Sequence, residues 1–496
     1  MLLSDDPHRA SLPLPDEPLY ERLAEHYRRI IASGTLLPGD RMPSVRALMD
    51  RHRVSLSTAI QTFRRLEDTG WLSAKPRAGY FVQRPSALKL AKVPEPEVTT
   101  LPSEARYVGL HERISRVLEY AQSFPDALNL GGATAAAELY PADPLQALMR
   151  KRLRLRPTLL TEIGVDTGAS EFRQAVARRA LSNGVTVSPD EIISTTGGVE
   201  GVNLALRAVA QRGDTIAIES PAFFGLLQIL ESLGLRALEI PTSPTTGLSV
   251  EALDIALNAY ENVKALVVVP NLQNPLGCVM PDDRKAQLVA LCKQHGVAVI
   301  EDDPYLDLVE GPERPKPVKA WDRDGNVIYC ASLNKVLAPG MRLGWIAGGR
   351  WQARIKMLKF AQSRHNETLP QLVAAEFISS GDFDRHLHRL RARLSDQREA
   401  TCDAIARYFP SGTRMSPPSG GLLLWVELPE GTPSESLYQA ALADGIRIAP
   451  GTIFSNSDRF GSFIRLSCPK PFDRDLDDAM RRLGQLARVA KPADIR

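Results

Sequence analysis

The stretch Val327-Ile328-Tyr329-Cys330-Ala331-Ser332-Leu333-Asn334-Lys335-Val336-Leu337-Ala338-Pro339-Gly340-Met341-Arg342-Leu343-Gly344 decides how the larger part of this chain folds. Val327–Cys330 is a strand-sized apolar run, and Ser332, Lys335 and Arg342 follow it. A lysine just after a buried strand loses its proton more readily than a solvated one, and its free amine attacks aldehydes. Serine and arginine on either side are residue types that grip a phosphate, arginine through two parallel hydrogen bonds. A lone lysine after a strand is usually a surface lysine, but this trio at this spacing is much less common by chance.

Upstream, Glu191–Ser194, Thr215–Ile218, Lys264–Val269 and Ala298–Ile300 are further strand-like runs, with helical patterns such as Gly201–Gln211 and Asp282–His295 between them. That alternation predicts a mainly parallel sheet covered by helices on both faces. Such sheets place ligands beyond the C-terminal ends of their strands, where the polar clusters of this chain fall. Glu301-Asp302-Asp303-Pro304-Tyr305 ends one strand. Paired carboxylates there mean a metal, acid/base work or a partner for a ring nitrogen, which a carboxylate keeps protonated; taken alone, helix capping is the plainer reading. Tyr305 is suited to a ring hydroxyl, and Asn274, in Asn271–Gly277, has an amide that reaches a ring oxygen or forms a simple turn. Thr195-Thr196-Gly197-Gly198-Val199-Glu200-Gly201 opens a helix, and glycine-exposed N–H groups at a helix start favour phosphate. Phe223 suits ring stacking or core packing, and Arg465, in the strand-like Phe463–Leu466, needs an anion: a substrate carboxylate or a structural ion pair.

The N-terminal fifth reads differently. Leu19–Ser33, a short helix capped by Ser44, and Ser55–Gly70 form three helices, the third burying Ile60, Phe63 and Leu66. Trp71–Ser73 and Gly79–Gln83 then make a hairpin around Lys75-Pro76-Arg77-Ala78. Three helices and a wing make a winged helix-turn-helix. Ser55, Ser57 and Thr58 at the start of the third helix are suited to phosphates and base edges, with Arg46, Lys75 and Arg77 placed for the backbone or minor groove; Ser55 is equally a plain helix cap. Leu19–Arg84 carries 12 Lys or Arg against 6 Asp or Glu, whereas the net charge of all 496 residues is only +3, so the basic surplus is local, as in a polyanion-binding module. The resulting division is a loose N-terminus to residue 18, a head over 19–84, a Pro-rich linker over 85–110, a body over 111–488 and a tail over 489–496.

Five cysteines lie far apart without metal spacing, so no metal is expected and a reduced, cytoplasmic setting is the simple reading. No signal-peptide pattern or membrane-spanning run is present, and no membrane partner is expected.

Taken together these motifs carry a resemblance. Pro38-Gly39-Asp40-Arg41-Met42-Pro43-Ser44-Val45-Arg46, Val54-Ser55-Leu56-Ser57-Thr58 and Arg77-Ala78-Gly79-Tyr80-Phe81-Val82 resemble the GntR-type regulators, which implies binding to a double-stranded DNA operator and adds Arg41 and Gly79 to the DNA-facing residues. Many members carry Arg where this chain has Leu56, and that Arg commonly helps read bases. The body resembles the fold-type I, class I/II aminotransferases, with a smaller C-terminal α+β subdomain. The resemblance implies pyridoxal 5'-phosphate as cofactor, held as an internal aldimine on Lys335. Asp302 would then pair with the pyridine nitrogen and Tyr305 and Asn274 with the ring hydroxyl. Phe223 would stack on the ring, Gly198, Val199, Ser332 and Arg342 would hold the phosphate, and Arg465, with Asn274 nearby, a substrate carboxylate. Two positions depart from the pattern: Ile163 stands where a phosphate-binding Tyr is usual, and Asn334 where Ser, Thr or Ala is frequent.

A GntR-type head before such a body is the layout of the MocR-type regulators, which implies a homodimer with its active sites near the subunit interface. The leading expectation is a regulator that senses an amino compound by external aldimine formation at Lys335. The alternative is a working aminotransferase with an appended head, and a third reading is a regulator that binds only the free cofactor.

Overall fold

Leu23, Tyr27 and Ile31 recur at helical spacing along Leu19–Ala32 (α1) and are buried together. In the computed structural model, which describes residues 18–32, 35–36, 40–69, 71–75, 79–82, 90–311, 314–457 and 459–490, they pack on Val45–His52 (α2) and Leu56–Asp68 (α3). Ser44 Oγ accepts the N–H of Ala47 at 3.1 Å and Ser55 Oγ that of Thr58 at 3.2 Å, so each helix starts on a side-chain cap stabilising it by about 1 kcal/mol. Between them Arg53 turns left-handed, at φ 51°, and its N–H closes α2 on Met49 O. The strands Leu72–Lys75 (β1) and Gly79–Val82 (β2) pair antiparallel, Leu72 opposite Val82. Tyr80 stacks on Phe63 with ring centres 4.5 Å apart. This is the expected winged helix-turn-helix, with one correction. Phe63 and Leu66 are buried, but Ile60 is only half-buried and lies outside the head's apolar cluster. Thr69 closes α3, and Gly70, the expected last residue of this helix, lies outside the described residues.

The chain divides into two compact units, Met1–Lys89 and Leu90–Arg496. Residues 90–110, expected as linker, belong to the second unit. Ala91 bridges to Arg414, Tyr260 donates to Pro102 O at 3.0 Å, and Arg106–Tyr107 (β3) pairs with the edge of the main sheet.

That sheet uses Ile192–Thr195 (β4), Thr215–Ser220 (β5), Arg236–Ser243 (β6), Val263–Val268 (β7), Ala298–Asp303 (β8), Val327–Ser332 (β9) and Gly344–Ala347 (β10). The order is β3-β6-β5-β7-β8-β9-β10-β4, with Gly247–Leu248 added alongside β6. Pairs β6–β5–β7–β8–β9 are parallel. β10 runs against both neighbours, so β4 points the same way as β9. Both faces are covered: Ile216, Ile218, Ala298 and Ile300 enter one apolar cluster, and Ala217, Leu266 and Val299 enter another. Burial on both faces explains why these strands read as continuous apolar runs. A smaller antiparallel sheet holds Leu423–Glu427 against Phe463–Ser467 and so carries Arg465.

Candidate functional site

Six strands, β4 to β9, end on the same edge of the main sheet, and Gly198, Val199, Phe223, Asn274, Asp302, Tyr305, Ser332 and Lys335 lie at or just beyond five of those ends. Lys335 follows β9 by three residues. Its Nζ donates to Ala133 O at 2.7 Å and Thr134 Oγ1 at 3.4 Å. Burial, with the positive charges of Arg465 and Arg342, lowers its pKa to about 8, against the pull of Asp302. Asp302, at the end of β8, is pushed up to about 7 by burial and by Asp303, with Lys335 drawing it down. A cation at this carboxyl favours its ionised form.

The paired acids divide their tasks. Asp303 Oδ1 accepts Asn271 Nδ2 at 3.2 Å and its Oδ2 accepts the Tyr329 hydroxyl at 3.2 Å, so it is bound into the frame. Asp302 instead lines a pocket with Val199, Phe223 and Glu219. Neither acid belongs to a metal-holding cluster among the described residues. Phe223 is half-buried just before the helix Phe224–Ser232, and Val199 is 52% exposed at the start of the helix Gly198–Val209 (α4).

Arg465 is buried, and desolvation lowers its pKa to about 10. Nη1 donates to Asn274 Oδ1 at 2.9 Å and Nη2 to Gly131 O at 2.5 Å, while Nε has no partner among the described residues. Its guanidinium carbon sits 5.0 Å from the Phe454 ring centre. Among the described residues no Asp or Glu forms an ion pair with it, which removes the structural ion pair as its explanation. Tyr305 is buried beside it, its hydroxyl pKa raised by desolvation and eased by Arg465.

One rung of the sheet assembles an anion cradle. Ser332 lies opposite Gly344, and Gly344 opposite Thr195. From this rung the turn Thr196-Gly197 leads into α4, whose first N–H groups have no side-chain cap among the described residues and point outward as an anion site. Gly197 has φ 96°, and a Cβ there would meet Asn334 Nδ2 at 2.7 Å and Arg342 Nη2 at 3.7 Å. A Cβ on Gly198 would stand 3.2 Å from Asp302 Oδ1. Arg342, left-handed at φ 52°, donates to Thr196 O at 3.1 Å. The space these glycines keep open, the helix start without a side-chain cap and the Arg342 guanidinium beside it fit a phosphate. Lys335 and Asp302 nearby fit an aldehyde and a protonated ring nitrogen. The residues therefore suit pyridoxal 5'-phosphate.

Two supports escaped the sequence reading. Glu200, in the first turn of α4, accepts Thr196 N at 2.6 Å and Thr196 Oγ1 at 2.8 Å, and pairs with buried Lys359 at 3.0 Å. Its place in the first turn is a capping signal that was available. Glu219, pushed up to about 8 by burial, accepts Val269 N at 3.0 Å and so braces the segment that leads to Asn274. Nothing local in the sequence marks it.

In the head, Ser55 Oγ lies 2.8 Å from both Ser57 Oγ and Thr58 Oγ1. Arg46 is exposed on α2. Gly79 has φ 101°, and a Cβ there would lie 3.4 Å from Arg41 Nε, so wing and arginine converge. Lys75 pairs with Gly79 through the backbone; its side chain and Arg77 lie outside the described residues.

Residues 19–82 match the model of the bacterial regulatory proteins of the gntR family, and residues 136–483 that of aminotransferase class I and II. The chain is 36% identical over 474 residues to the HTH-type transcriptional regulator YdcR of Escherichia coli, covering 94% of this chain and 98% of that one. It is 26% identical to the rhizopine catabolism regulatory protein MocR of Rhizobium meliloti, covering 88% and 87%. The kynurenine aminotransferase of Pyrococcus horikoshii, solved with PMP, superposes with a TM-score of 0.71 at 25% identity, covering 76% of this chain and 94% of that one. LysN of Thermus thermophilus, solved with N-(5'-phosphopyridoxyl)-L-leucine, gives 0.69 at 26% identity, covering 77% and 98%. No described helix is long and apolar enough to cross a membrane. The chain belongs to the MocR-type regulators, a GntR-family DNA-binding head fused to a pyridoxal 5'-phosphate-dependent body of the class I and II aminotransferase fold.

Proposed function

We propose that the body senses an amino compound bearing a carboxylate and that its occupancy governs how the head engages its operator. The observation that carries this reading is the buried guanidinium of Arg465, which faces neutral oxygens and lacks a carboxylate. A buried cation of this kind is stabilised by an incoming anion. Bound pyridoxal 5'-phosphate supplies an aldehyde carbon that exchanges one amine for another and a ring that withdraws electrons.

The chain's own residues then take separate tasks. Lys335, its amine partly neutral near physiological pH, holds the cofactor and yields its place to the incoming amine. Asp302 would keep a bound ring nitrogen protonated, Tyr305 and Asn274 would serve the ring hydroxyl, and Phe223 would cover one ring face. Gly198, Val199, Ser332 and Arg342 hold the phosphate. Arg465 orients the ligand by its carboxylate. Once displaced, the Lys335 amine is free to bias one body conformation over another, and transmission of that bias to DNA affinity is what makes the system allosteric.

A homodimer belongs to this reading. Leu160, Ile163 and Val165 are 72%, 88% and 59% exposed in one short segment, an apolar surface suited to a second copy. Ile163, unable to donate as a tyrosine does, leaves the phosphate to Arg342, Ser332 and the start of α4.

Turnover as an aminotransferase is the second reading, favoured by the lowered pKa of Lys335, which fits it to move a proton. One experiment separates the two. The purified protein is titrated with single amino acids, following cofactor absorbance and operator binding together, with and without a keto acid. A spectral shift that changes DNA affinity without product supports the sensor. Sustained keto-acid-dependent turnover with unchanged DNA affinity supports the enzyme.

A further inference from the structure

The third helix of the head begins with an apolar patch that the head's own core does not cover. Leu56, its first residue, is 54% exposed, and Ile60, one turn later on the same side, is half-buried. Neither belongs to the apolar cluster of Phe63, Leu66 and Leu48. The polar side chains beside Leu56 are turned to local work: Ser55 Oγ caps the helix and lies 2.8 Å from both Ser57 Oγ and Thr58 Oγ1. Leu56 is thus the large side chain presented at the start of the helix that a helix-turn-helix places in the major groove. The surroundings suit a polyanion, with Arg46 and Arg64 exposed in a segment with a basic surplus, while Arg65 pairs with Glu21.

An aliphatic side chain offers a base edge no hydrogen bond. In the major groove the one apolar mark on a standard base is the C5-methyl of thymine. We infer that Leu56, backed by Ile60, reads a thymine methyl in each operator half-site. The inference rests on the DNA-binding assignment and deepens it. It makes this head a reader of a methyl group where an arginine at the same position would read guanine.

The test uses the full-length protein and sites selected from a random double-stranded DNA pool. Each selected thymine is replaced in turn by deoxyuridine, which removes only the methyl. Removing one methyl from a buried contact weakens binding by about fourfold. The expected result is such a loss at one position per half-site, absent in Leu56→Ala, while Leu56→Ala keeps the wild-type salt dependence. Leu56→Arg should move the preference at that position to guanine, and Ile60→Ala should reduce the uridine penalty, with circular dichroism confirming that each variant is folded. Equal uridine penalties in wild type and Leu56→Ala, or selected sites insensitive to every thymine methyl, would overturn the inference and leave DNA binding intact. If Leu56→Ala instead changes self-association and not the uridine penalty, the patch covers a second copy and the inference fails. Absence of any selected site would sink the DNA-binding assignment itself.

Discussion

Nη1 of Arg465 donates to Oδ1 of Asn274 across 2.9 Å, joining a buried cation to an amide 191 residues away in sequence. The pair gives a direct prediction about ligand choice. Arg465→Met should weaken amino acids by one to two orders of magnitude, the loss expected for a hydrogen-bonded charge, and leave simple alkyl amines unaffected. Spectral titration of the cofactor band measures both. An equal loss for both ligand classes would remove Arg465 from the carboxylate role.

Lys335→Ala should abolish the imine absorption band while leaving a weaker, non-covalent complex with pyridoxal 5'-phosphate. Retention of the band in the purified variant would place the attachment elsewhere.

Loading of the cofactor should depend on pH with a definite sign. Only the neutral amine attacks, and the pKa of Lys335 is lowered to about 8. About a tenth of the lysine is then neutral at pH 7, against less than about a thousandth for an unperturbed one. The loading rate, followed by stopped-flow absorbance, should rise through pH 8 and level off above it. A rate still climbing tenfold per pH unit at pH 9 would contradict the lowered value.

Lys359→Met leaves Glu200 buried without its cation. Breaking such a pair destabilises by roughly 3–5 kcal/mol, seen as a lower midpoint in denaturant, and the loosened Thr196 turn should bind pyridoxal 5'-phosphate less tightly than the unphosphorylated aldehyde would suggest. The double variant Glu200→Gln with Lys359→Met should recover much of the stability. No recovery would mean that Lys359 acts through something other than Glu200.

A chain beginning at Leu90 should keep cofactor binding and lose DNA binding, because residues from there onward form one compact unit. Operator retention by that fragment would break the division of labour. In the full chain, DNA affinity should fall steeply with salt.

What the sequence disclosed follows range along the chain. Lys335, Ser332 and Arg342 share one short segment, so their chemistry was legible, as were the fully buried strands that repeat an apolar run. Contacts spanning the chain were not. The choice of Asp302 over Asp303 depends on Asn271 and Tyr329, and the support of Thr196 depends on Lys359, 159 residues from Glu200. The four-residue β10 was too short to announce its reversed direction. Ile60 kept a core-like spacing, but its side lies near the uncovered start of α3. Pro-rich residues 90–110 carried no periodic signal, and their place on the body comes from scattered contacts with Arg414, Tyr260 and β6.

The rung that aligns Ser332, Gly344 and Thr195 has a wider implication. The same backbone ladder closes the sheet and spaces the groups that would cradle a phosphate. Side chains around the rung can therefore be exchanged while its spacing persists, because that spacing belongs to the backbone and changes only if the strands re-pair.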